Sequence, residues 1–225
     1  MLFRSASNVA GLLMGGAIFA QFFLLTLYMQ EVLHYSALKT GVAYIGLTLT
    51  IIVFSAVAQA LVTRLGVRRV LPAGLALSTA ALVLFARLPV DGRYFHDLFP
   101  GFMISGLGLA LAFVPMSIGA LTGVRQADAG IASGLINTTQ QIGGAIGVAV
   151  ATTVATTFTT RYVDAHAGTN ALSGPALTHG FQVAFYVLAA LAGAGALLAA
   201  LMLESKPAET VPELSEGVVE LEAAA

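Results

Sequence analysis

Six long apolar stretches separated by short polar gaps run from Asn8 to Leu203, leaving almost no sequence for a water-soluble domain. A helix needs about 20 apolar residues to cross a hydrocarbon core roughly 30 Å thick. The stretches Asn8–Met29, Thr40–Val62, Val70–Leu88, Leu98–Leu121, Ile136–Phe158 and Phe181–Leu203 meet that length, and none carries Asp, Glu, Lys or His in its interior. A β-barrel would need segments of about 10 residues alternating apolar and polar, and no stretch alternates. Only 9% of residues are charged while 58% are hydrophobic, and a soluble domain carries about 25% charged residues. Lipid is therefore the solvent for most of the surface. The predicted fold class is all-α, a polytopic membrane bundle of six transmembrane helices.

The net charge of -1 and the lack of a basic run give no sign of a nucleic-acid partner, and the absence of cysteine excludes disulfides and thiol chemistry. Met1–Ser7 leads straight into the first stretch with no cleavage site after a short apolar core, so that stretch is expected to be a permanent helix.

Basic residues in short loops set orientation. The tightest cluster, Arg64, Arg68 and Arg69, lies between the second and third stretches. With that loop in the cytoplasm, Arg4, Arg125 and Lys206 share its side, while Lys39, Arg87, Arg93 and Arg161 fall outside. Tyr28, Tyr35, Tyr44, Tyr94, Tyr162 and Tyr186 then gather at or near the outer face, as do His34, His96, His166 and His179. Tyrosine favours the membrane interface, where its ring is apolar and its hydroxyl wet. Both termini are expected in the cytoplasm, in a multi-pass protein of the cell (inner) membrane.

The chain divides near Asp97 into two three-helix halves, each opening on a glycine-rich helix: Gly11, Gly15 and Gly16, then Gly101, Gly106 and Gly108. Three is odd, so the second copy is inverted, an arrangement that recurs in transporters with a midplane substrate site. Residues 1–203 form the expected transmembrane domain. Residues 204–225 carry Glu209, Glu213, Glu216, Glu220 and Glu222 among Pro207, Pro212, Ser215 and Gly217, and are expected to be an acidic, disordered cytoplasmic tail.

The fifth stretch holds the densest pattern. Gly130, Gly134, Gly143 and Gly147 form two small-xxx-small pairs that let helices approach closely in lipid. Between them lie Asn137, Gln140 and Gln141, amides that are costly in hydrocarbon unless bonded or wet. Two roles stay open for the amides: inter-helix glue, or a polar stripe on a cavity wall.

The string from Gly130 to Ala149 resembles the signature of the fourteen-span drug/proton antiporter family of the major facilitator superfamily. Tyr28 to Ser36 followed by Gly41 is similar to that family's passage between two central helices. Arg64-Leu65-Gly66-Val67-Arg68-Arg69 resembles the superfamily's cytoplasmic loop, and Gly106-Leu107-Gly108 leading to Pro115 resembles a further central helix. Departures are Gln140 where arginine is frequent, His34 where glycine is usual, and Ala37 and Ile45 where prolines are common.

The resemblance implies the carboxy-terminal six spans of a proton-coupled multidrug exporter working by alternating access. The amino-terminal half, separate or missing, would supply the other cavity wall and the proton site. That agrees with the absence of carboxylates inside the spans. On this architecture the first and fourth spans face the cavity, and Met14, Gln21, Phe22, Thr26, Met103, Phe113 and Met116, with Asn137 and Gln141, are the candidates for contact with a small amphipathic substrate. Methionine and phenylalanine suit such guests because they repack and are polarizable. Gln59 is assigned to helix pairing. Arg64, Gly66, Arg68 and Arg69 are expected to bias the inward- or outward-facing state, or to fix topology alone.

Enzymatic readings find less support. Ser133-Gly134 lacks the glycine two residues earlier that an intramembrane serine protease needs, since Ile131 stands there. No His-Glu-x-x-His string and no intramembrane aspartate pair occur. No cofactor or metal is called for. The alternative to a transporter half is a non-transporting membrane subunit or fragment packed against a partner.

Overall fold

The computed structural model describes residues 2–121 and 129–202. Arg125, Lys206 and the acidic segment 204–225 lie outside the described residues, as does the side chain of Arg4. Within them the chain forms α1 (Leu2–Leu27), α2 (Ala37–Ala43), α3 (Ile45–Leu65), α4 (Val67–Phe85), α5 (Phe99–Leu121), α6 (Ala129–Ala165) and α7 (Gly174–Met202). Wide π-helical turns at Tyr28–Val32 and Tyr94–Leu98 extend α1 and lead into α5. Six spans are long and apolar enough to cross a bilayer, α2 and α3 together making the second.

Several boundaries differ from those read in the sequence. The second span is broken at Tyr44, the fifth begins at Ala129 rather than Ile136, and the sixth at Gly174 rather than Phe181. With 37 residues, α6 is about 55 Å long and overhangs the hydrocarbon layer. Its Thr152, Thr153, Thr156, Thr157 and Thr160 bond to carbonyls of their own helix. That self-satisfaction is what lets a threonine-rich helix sit in lipid.

Packing pairs α1 with α6, α5 with α3, α4 with α5, α1 with α7, α6 with α7, α3 with α4, and α4 with α7. Exchanging the first three spans for the last three maps this set of pairs onto itself. Since successive spans run antiparallel, the copies are inverted. The core lies where the two copies meet, around Leu24, Leu25, Met29, Phe85, Phe102 and Phe185.

One end of the bundle is rich in tyrosine. There Tyr28 donates to the Pro89 carbonyl, Tyr94 to that of Ala43 at 2.8 Å, and Gln182 to that of Leu88 at 2.8 Å. Tyr162 stacks on His166 and lies near His179. Tyr186 departs from the expected belt: it lies twelve residues, about 18 Å, inside α7. The other end carries the turn at Gly66, whose φ of 78° only glycine adopts readily, flanked by exposed Arg64, Arg68 and Arg69.

Candidate functional site

Close helix crossings fix which faces are buried. A Cβ at Gly147 would collide with the backbone of Gly16, one at Gly143 with the Leu12 carbonyl, and one at Gly15 with that of Gln140. Only hydrogen at these positions allows α1 and α6 to touch backbone to backbone. The symmetry-equivalent crossing of α5 on α3 uses Gly106, where a Cβ would stand 2.8 Å from both the Leu47 carbonyl and Thr50. Gly130 and Gly134 have no such role within the described chain, since a Cβ at either meets nothing within 4 Å.

These crossings divide the cavity candidates. Met14 and Met116 are 4% and 3% exposed and pack together with Leu71, Leu75, Leu109 and Ala112 between α1, α4 and α5. Gln21, also 4% exposed, donates to Ser105 Oγ at 2.8 Å. All three side chains are buried within this bundle, and Met14 and Gln21 line a small cavity with Leu75, Ser78 and Leu109. Gln59 is exposed on α3 and pairs with no neighbouring helix among the described residues. Phe113, Asn137 and Gln141 are exposed, and Phe22, Thr26 and Met103 half-buried.

The half-buried group forms a tie at the tyrosine end. Tyr44, at the break in the second span, donates to the Phe22 carbonyl at 3.0 Å and lies 3.0 Å from Thr26 Oγ1. Its ring stands 5.2 Å from Phe22 and 5.4 Å from Phe102. Thr50 donates to the Gly46 carbonyl at 2.8 Å, and its Oγ1 lies 3.1 Å from Met103 Sδ on the adjoining α3–α5 seam. At the arginine end, among the described residues, the symmetry-equivalent seam of α5 and α6 brings Gln140 Nε2 to Met116 Sδ at 3.9 Å. Asn137 and Gln141 stand exposed beside it.

Tyr44 and Ser105 were missed as functional neighbours in the sequence. Tyr44 carried a signal, an amphipathic ring opposite Thr26 one span away, but Ser105 amid Ile104 and Gly106 had none. Phe19 and Phe23, 46% and 39% exposed, extend the open face of α1, with Phe19 lying across Gly144 of α6. The described carboxylates Glu31, Asp91, Asp97 and Asp164 all sit at helix ends or in connections. Asp97 is engaged locally, by the Arg93 backbone N–H at 2.6 Å and His96 at 2.9 Å. Among the described residues no group of three metal-ligating side chains occurs.

A family model described as Major Facilitator Superfamily matches residues 8–223. The chain belongs to the major facilitator superfamily. Superfamily members similar to it include the lincomycin resistance protein of Streptomyces lincolnensis, 36% identical over 142 residues, which are 63% of this chain and 29% of the relative. The puromycin resistance protein pur8 of Streptomyces alboniger is 34% identical over 192 residues, 84% of this chain and 38% of the relative. The cephamycin export protein CmcT of Amycolatopsis lactamdurans is 34% identical over 139 residues, 61% of this chain and 29% of the relative. The chain thus spans about a third of the length of the relatives it matches. It is a multi-pass membrane protein of a transporter superfamily with drug and antibiotic export relatives.

Proposed function

We propose that this chain is the carboxy-terminal six-span half of a proton-coupled exporter of small amphipathic molecules, acting in the cell membrane by alternating access with an amino-terminal half. The observation that carries the reading is the superfamily match over residues 8–223 in a chain that spans about a third of the length of its resistance and export relatives. A half that rocks against a partner needs a firm inner frame, and here Tyr44 ties the break in the second span to α1 through short polar contacts, while among the described residues Gln140 Nε2 meets Met116 Sδ at 3.9 Å across the α5–α6 seam. Exposed Phe19, Phe23, Phe113, Asn137 and Gln141 offer rings and amides to a guest or to the opposing half. Every described carboxylate lies at a span end or in a connection, so the acid that takes up and releases the proton belongs to the other half. Gly66, with Arg64, Arg68 and Arg69, would bias the state at the arginine end, and both termini would be cytoplasmic with 204–225 as a solvated tail.

The test is drug susceptibility of a sensitive host. The chain alone should give no resistance, while co-expression with a matching amino-terminal half should give resistance that collapses with a protonophore. Efflux by the isolated chain would refute the division of labour.

A further inference from the structure

Beside the α3–α5 seam, at the tyrosine end, an open cavity of about 540 Å³ is walled by Tyr35, Lys39, Val42, Leu49, Phe95 and Phe99. From Lys39 to Leu49 is ten residues, so the groove descends about 15 Å along the second span. That depth is half of a hydrocarbon core of roughly 30 Å, the reach of one leaflet. Its lining is hydrocarbon and aromatic edge, with a single cationic group at the shallow end. The Lys39 ammonium rests 3.5 Å from the centroid of the Tyr35 ring. The Tyr94 hydroxyl above Gly46 is already given to the Ala43 carbonyl, so it is not available as a donor. No carboxylate lines the groove, which removes the counter-charge a cationic guest would require.

We propose that this groove is a binding site for one anionic phospholipid of the adjacent leaflet. Its phosphate is taken by Lys39, and one acyl chain runs down over Val42 and Leu49 against Phe99. The chemistry fits at both ends. A flexible four-carbon stem lets the ammonium leave the tyrosine face for a phosphate at headgroup level, and the apolar floor matches a chain of one leaflet's length. Because the groove is walled by both α2 and α3, the lipid would also brace the break at Tyr44. This site is independent of whether the chain transports anything.

The chain contains no tryptophan, so Leu49→Trp places a sole indole on the floor of the groove. The full chain carrying it is reconstituted in phosphatidylcholine nanodiscs containing a minor fraction of acyl-brominated phosphatidylglycerol or, in parallel, of acyl-brominated phosphatidylcholine. Brominated phosphatidylglycerol is expected to quench as though enriched about fivefold, the effect of one basic side chain on an anionic lipid. Lys39→Gln should abolish the preference and Lys39→Arg should keep it. Equal quenching by the two lipids, or a preference that survives Lys39→Gln, overturns the proposal. So does quenching that disappears when a partner half is co-reconstituted, which would make the groove a protein interface. Native mass spectrometry of the chain without the indole supplies a second reading. Phosphatidylglycerol should remain bound to the Lys39 form and be lost from Lys39→Gln, and equal retention also overturns the site.

Discussion

Gln21 on α1 and Ser105 on α5 meet by an N–H···O bond of 2.8 Å, joining the first helix of one inverted repeat to the first helix of the other. Ser105 is fully buried and Gln21 nearly so. Both are shielded from the surface, so each relies on its partner for this bond. Ser105→Ala should destabilise the chain by about 1 kcal/mol, since inter-helix hydrogen bonds in membranes are worth about 0.6 kcal/mol on average and up to roughly 1.7. Gln21→Leu with Ser105→Ala should cost less than the sum of the single changes. Thermal unfolding in detergent of the four members of this cycle measures the coupling, and strict additivity would show that the bond is incidental.

His34 is the described non-glycine residue with a left-handed backbone, at φ 54°. It ends the first span, where Leu33 N–H returns to the Tyr28 carbonyl and Tyr35 N–H to that of Met29. This is a helix-closing turn of the kind glycine usually occupies. The sequence departure at His34, histidine where the resembling family has glycine, thus falls at a position where any side chain is strained by about 1 kcal/mol. His34→Gly should raise the unfolding midpoint. An unchanged or lower midpoint would mean that the imidazole makes a compensating contact.

How far the sequence reached depends on the kind of fact. Span number, helical class and the two-copy organisation follow from apolar length and from an odd number of helices per copy, which periodicity and composition carry directly. Helix rotation did not follow. Met14, Gln21 and Met116 have the same side-chain chemistry as residues on an open face, and nothing in their periodicity tells that they are buried in this bundle. The glycine pattern itself was only half informative. Gly143 and Gly147 lie under Leu12 and Gly16, whereas Gly130 and Gly134, with the same spacing, meet nothing within 4 Å. Spacing marks a helix that can be approached closely, not the helix that does so.

That contrast makes a prediction of its own. Gly147→Leu sets a branched side chain against backbone that cannot rotate away, and the loss should exceed the 1–3 kcal/mol of ordinary overpacking. Little monodisperse protein should survive size-exclusion chromatography. Gly134→Leu should leave yield and unfolding midpoint nearly unchanged in the isolated chain. If that surface meets the amino-terminal half, the same substitution should reduce efflux in the co-expressed pair. Equal damage from both substitutions in the isolated chain would contradict the assigned crossing.

Tyr44→Phe tests the tie at the tyrosine end. The substitution keeps the ring packed on Phe22 and Phe102 while removing the hydroxyl that bonds the Phe22 carbonyl and approaches Thr26. Stability should fall by about 1 kcal/mol or less. In the co-expressed pair, a cysteine at Phe23 would be the sole thiol of this chain. Its labelling by a membrane-impermeant maleimide from outside the cell should quicken as the tie loosens. Thr26→Val should act in the same direction, and slower labelling in both would reverse the role given to this end.

Asn137 and Gln141 supply the sharpest separation of packing from function. Both are exposed on α6, one turn apart, beside the contact from Gln140 to Met116. Removing either amide strands no partner among the described residues, so Asn137→Leu and Gln141→Leu should leave the unfolding midpoint within about 0.5 kcal/mol of the parent. Were the amides glue between helices of this chain, the same changes would destabilise it measurably. As part of a cavity wall they should instead alter which compounds the reconstituted pair exports, with resistance to some drugs falling and to others holding. The informative measurement is the ratio of resistance across a panel of amphipathic drugs at matched expression, since a uniform decline tracks lost protein whereas a changed rank order reports the wall itself.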